Sequence, residues 1–106
     1  MNTSGDYEYF RNRCYALRNR VCNTINYLNS ASGEMSKTLD IGNYFQINGH
    51  SADNGKFGKT KTDIDNIKNY LQNRVLPYLD REIYNAGIKI QELLITENAN
   101  GWVRFK

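Results

Sequence analysis

Apolar side chains recur along the first third of the chain at Tyr7, Phe10, Cys14, Leu17, Val21, Leu28, Ala31 and Met35, with Thr24 in the one weak place and Ile25 beside it. Steps of three and four put them on one stripe of an α-helix, so the spacing predicts an amphipathic helix with a heptad repeat. Asp6 is placed to cap its start, Glu8 stands in the first turn where the helix dipole favours negative charge, and Gly33 reads as its stop. Helix one is therefore expected over about 6–32. A second stripe, Ile64, Ile67, Leu71, Val75, Tyr78, Leu79, Ile83, Ala86, Ile90, Leu93 and Leu94, comes after a Thr60-x-x-Asp63 start of capping-box form. Helix two is expected over about 59–97. A bend belongs between Asn73 and Pro77, because proline removes one backbone hydrogen bond and its ring crowds the carbonyl four residues back.

The segment between the two, about 33–58, carries five of the eight glycines, at 33, 42, 49, 55 and 58. It reads as a long connection, with Asn43–Gly49 placing Tyr44, Phe45 and Ile47 before an Asn-Gly turn signal and so admitting a short strand or a packed bend. After the second helix, 98–106 reads as a turn and then an extended, adhesive Trp102-Val103-Arg104-Phe105. The fold class expected is all-α: an antiparallel two-helix hairpin with a long Gly-rich connection, a short strand being admitted in the connection and in the tail. At 106 residues the chain is read as a single domain.

Composition narrows the function more than it names it. Hydrophobic residues make up 40% of the chain and the mean hydropathy is −0.71, which suits a surface-rich helical protein better than a many-layered core. One proline leaves little to interrupt helices. The start, MNTSGDYEYF, has no basic end followed by an apolar run, and no apolar stretch approaches membrane-spanning length, so a cytoplasmic setting is expected. Cys14 and Cys22 are eight residues apart on one helix, too far to bridge each other, and read as small hydrophobes in a reducing compartment.

A net charge of +3 falls short of the dense basic clusters of dedicated nucleic-acid binders. Arg11 and Arg18 flank one side of the first stripe and Arg13 and Arg20 the other, spaced for interhelical ion pairs with Asp80, Glu82 and Glu92. Phosphate binding by these four arginines is the competing reading. His50, the single histidine, has no partner at metal-ligand or triad spacing, and Ser51 and Asp53 beside it lack an oxyanion hole. Gly55-Lys56-Phe57-Gly58-Lys59-Thr60 lacks the upstream glycine and buried strand of a phosphate loop. Hence no catalytic residue, cofactor or metal is assigned, and the chain is read as a binding protein. Two helices leave Tyr9, Tyr15, Tyr70 and Tyr84 off the stripes, and Trp102 and Phe105 in the tail. These six are the candidate contacts to a protein partner, in a homo- or heterodimer, with nucleic acid not the expected partner.

Length, two long helices and a central aromatic-to-glycine turn give the chain a resemblance to the small WxG-type proteins of type VII secretion systems. The turn element is Phe45, Ile47 and Gly49, without the tryptophan of that family. The resemblance also implies a Tyr-x-x-x-Asp/Glu export element, which Tyr78 and Glu82 match in form, although they lie inside helix two where the family carries the element after it. It implies a helical partner or adaptor, exported without a cleavable signal peptide. The alternative is a small phage or mobile-element protein, structural or DNA-associated.

Overall fold

The computed structural model describes residues 2–47 and 54–104, with side chains over 2–41 and 55–99. Apart from Asn2 and Thr3, every described residue is helical, and no strand occurs among them. Helix α1 runs Ser4–Ile47 and α2 Asn54–Tyr70; a five-residue π turn, Leu71–Val75, leads into α3, Leu76–Arg104. The chain is all-α to this extent.

The element boundaries correct several expectations. Gly33 does not stop α1, which continues beyond it to Ile47. A Cβ at Gly33 would meet nothing within 4 Å. Glycine costs a helix about 1 kcal/mol relative to alanine, and half-buried Met35 and Leu39 continue the heptad spacing past it. The strand or bend expected within Asn43–Gly49 is helix as far as Ile47, the rest of it lying outside the described residues, and α2 begins at Asn54, inside the expected connection. Trp102, Val103 and Arg104 lie in the last turn of α3, not in an extended tail.

The capping box also changes place. Thr3 Oγ1 accepts the Asp6 backbone N–H at 3.2 Å while Asp6 Oδ2 accepts the Thr3 N–H at 3.2 Å and the Asn2 N–H at 3.0 Å. Thr3 is thus the N-cap and Asp6 its reciprocal partner, which satisfies donors the first turn leaves over. Thr60, by contrast, sits within α2 and donates its hydroxyl to the Lys56 carbonyl at 2.9 Å, and Asp63 pairs with Lys59 at 2.8 Å.

The chain divides into two compact units, 1–20 with 76–106 and 21–75. In the first, Cys14, Leu79, Ala86 and Ile90 are buried, and the α3 seam runs through Leu76, Leu79, Ile83, Ala86, Ile90, Leu93 and Glu97, all buried or half-buried. That is an unbroken 3-4 alternation. In the second, Ile25 is the one buried hydrophobic among the described residues, with half-buried Val21, Leu28, Met35 and Leu39 on α1 and Ile64, Leu71 and Val75 after it.

On α1 the seam differs by one residue from the expected stripe. It runs through Ser4, Tyr7, Arg11, Cys14, Arg18, Val21, Ile25, Leu28, Ser32, Met35 and Leu39, with Phe10, Cys22 and Ala31 half-buried beside it, whereas Leu17 is 55% exposed and Thr24 is exposed. The set 7, 14, 21, 28, 35 is legible in the sequence; the companion set is 4, 11, 18, 25, 32, 39. Four of those six are polar, so a hydrophobic pattern points to their apolar neighbours instead. Each of three finds a carboxylate across its unit: Ser4 on Glu97, Arg18 on Asp80 and Ser32 on Asp65.

Pro77 leaves its mark one turn upstream. A proline ring crowds the carbonyl four residues back, which for Pro77 is that of Asn73, and Asn73 is the middle residue of the π turn, where a wider turn accommodates the ring and the missing donor. A π turn takes up one extra residue. The seam positions keep pace, at 61, 68 and 75 before it and 76, 83, 90 and 97 after it.

Candidate functional site

Of the six tyrosine and tail positions expected to meet a partner, four have described side chains, and all four are exposed: Tyr9, Tyr15 and Tyr84 in the first unit and Tyr70 in the second. Trp102 is helical in backbone, and Phe105 lies outside the described residues. The expected turn element divides likewise. Phe45 and Ile47 belong to α1, which corrects a turn at those positions, and Gly49 lies outside the described residues. So do His50, Ser51 and Asp53. Tyr78, counted in the apolar stripe from its spacing, is 56% exposed on α3, and Glu82 is half-buried one turn on.

Within the first unit an open groove of about 730 Å³ lies between the start of α1 and the middle of α3. Glu8, Arg11 and Tyr15 supply one side; Tyr84, Ile88 and Leu94 are exposed apolar groups on the other. Tyr84, Ile88, Gln91 and Ile95 succeed each other on α3 at steps of four, three and four, so they form a second stripe beside the seam of Ile83, Ala86 and Ile90. Tyr84 is 68% exposed and Ile95 72%. Hydrophobic spacing alone passes over Ile88 and Ile95, because the stronger stripe captures the helix; plotting the remaining apolar residues by themselves finds them.

Polar groups fix the two ends of this unit. Glu97 Oε2 accepts the Ser4 hydroxyl at 2.6 Å and its Oε1 accepts the Ser4 N–H at 2.9 Å, so a glutamate from α3 takes up a spare donor in the first turn of α1. Those two bonds hold the Glu97 carboxyl below its ordinary value, the hydroxyl contributing most. Arg18 Nε donates to Asp80 Oδ1 at 2.7 Å, the interhelical ion pair expected for it. Arg11 makes no hydrogen bond or ion pair among the described residues, and its Nε is buried without an acceptor. The α3 residue against it is Gly87, where a Cβ would stand 3.8 Å from Arg11 Nη1.

Cys14 and Cys22 are both free thiols. Burial, with Glu82 adding to it, pushes the Cys14 thiol above its ordinary value, which disfavours the reactive thiolate. Among the described residues no three His, Cys, Asp or Glu side chains gather to hold a metal, and no helix is long and apolar enough to cross a membrane. No family model, no curated protein and no solved structure matches the chain.

Proposed function

We propose that this chain is a non-enzymatic helical interaction module, whose unit of α1 and α3 pairs with a further helix along the groove beside Tyr84. The observation that carries this reading is the second stripe, Tyr84, Ile88 and Ile95, left in water next to a seam that is already filled. Large apolar side chains gain nothing from solvent, and contiguous ones mark contact surfaces. Tyrosine suits such a place because its ring packs while its hydroxyl stays hydrated.

The finer form is an antiparallel two-helix hairpin acting as a dimer subunit. Support comes from the polar pairs of the first unit: as the α1 partner advances from Ser4 to Arg18, its acid retreats from Glu97 to Asp80. A secretion-partner role of the WxG type is a further refinement, for which Tyr78 offers an exposed tyrosine. Affinity capture from the native host tests the pairing reading. The tagged chain is expected to retain a helical protein, its own copy included, and Tyr84→Glu with Ile88→Glu is expected to lose it at unchanged helicity. Retention that ignores both substitutions contradicts the proposal.

A further inference from the structure

Granted that a helix fills the groove, the reading on which the identity of its occupant rests, the chemistry around Arg11 selects which helix it is. On α1 the polar seam positions Ser4, Arg18 and Ser32 each meet a carboxylate, whereas Arg11, also sheltered, meets Gly87 and has no acceptor for its Nε. The side chain as a whole is half-buried and lines the groove, so its charge is open to a carboxylate seated there. The position opposite is glycine, which leaves the space open.

One turn before Arg11 on the same groove wall stands Glu8, exposed and without an ion pair among the described residues. Asp80, the other acid of the groove, is already held by Arg18. The wall therefore presents one unpaired cation and one unpaired anion three residues apart, beside apolar Tyr15, Tyr84, Ile88 and Leu94. Such a strip is complementary to itself when turned end for end: a two-fold axis between the charges sets the arginine of one copy against the glutamate of the other, twice.

We propose that the groove's occupant is a second copy of this chain, its α1 lying antiparallel across the first so that Arg11 of each copy meets Glu8 of the other over the Tyr84 and Ile88 stripe. The closed, isologous contact uses both free charges and covers the apolar wall. It also explains why an arginine occupies a seam position with no acid of its own.

Charge exchange tests this by sedimentation equilibrium, with circular dichroism confirming that each variant is folded. The wild type is expected to dimerise. Arg11→Glu or Glu8→Arg, each placing like charges together at two points, is expected to weaken the dimer on the order of a hundredfold. Mixing the two single variants is expected to restore a one-to-one heterodimer, and the double variant to restore a homodimer. Should Arg11→Glu fail to fold, Arg11→Gln removes the charge alone and is expected to weaken association about tenfold. Single variants that dimerise like the wild type, or a mixture that stays monomeric, overturn the proposal. A monomeric wild type that nevertheless captures a helical protein through Tyr84 overturns the second copy and leaves the pairing reading standing; a dimer indifferent to Glu8, Arg11 and Tyr84 alike counts against both.

Discussion

Leu17 and Arg18 are neighbours whose roles are the reverse of what their chemistry suggests. Arg18 takes the seam and donates to Asp80, while Leu17 is exposed. Heptad counting from Tyr7 finds the set at 7, 14, 21 and 28 without difficulty, but the companion set is polar in four of its six places, and only a partner helix decides which neighbour turns inward. Leu17→Asp is accordingly expected to change stability by no more than about 0.5 kcal/mol, where a stripe that included Leu17 predicts unfolding. Leu79→Ala, by contrast, removes a buried side chain and is expected to cost roughly 2–5 kcal/mol. Urea denaturation of both variants checks the pair.

The polar contacts make a pH prediction at the same scale. Glu97 is held below 4.5 by Ser4, Asp65 below 3.8 by Lys61 and then Ser32, and Asp6 below 3.8 by the Asn2 and Thr3 amides. A folded-state value below the unfolded one means that the unfolded chain binds protons first as pH falls. The stability these groups contribute is fully present above their ordinary values and is lost as pH drops through the lowered ones. Melting temperature is expected to fall on acidification from about pH 4.5 downward, and less so in Glu97→Gln, whose neutral amide has no such proton to take. Equal acid sensitivity in that variant contradicts the role given to Ser4 and Glu97.

For the elements, helix type is legible in the sequence and helix ends are not. Glycine at 33, 42, 55 and 58 looks like punctuation when read residue by residue, yet all four lie in helix, and at Gly33 and Gly58 a Cβ would meet nothing within 4 Å. What carries α1 past Gly33 is the seam continuing at Met35 and Leu39, a tertiary gain larger than one glycine's propensity. Pro77 is legible as a disturbance, and the π turn before it is the form the disturbance takes. The misplaced capping box has the same origin: Thr3-x-x-Asp6 and Thr60-x-x-Asp63 are equivalent as strings, and only the first stands where a helix begins. Gly33→Ala decides between helix interior and helix stop. In open helical space alanine is expected to stabilise by about 1 kcal/mol, raising the melting temperature by a few degrees; at a left-handed stop the same change lowers it.

At the scale of the molecule, the buried apolar set among the described residues is small. Five hydrophobic residues are buried, and no large side chain is fully sealed from solvent, while thirteen large hydrophobics stay exposed among the described residues. Under the proposed pairing, association adds to the stability of the folded state by mass action. Cys14 reports on this directly: as a buried thiol with a raised value it is expected to resist alkylation until the fold opens, and more so at concentrations where the chain is associated. The surplus of tyrosine is visible in the sequence, whereas the groove that gives it direction exists only once α1 and α3 are set side by side. Sedimentation equilibrium over a wide concentration series, comparing the wild type with Tyr84→Glu combined with Ile88→Glu, decides whether the Tyr84 stripe is a pairing surface. The wild type's mass is expected to rise to that of an assembly while the variant stays monomeric with the same helical spectrum; a wild type that is monomeric at high micromolar concentration, with no partner retained from its native extract, rules the pairing surface out.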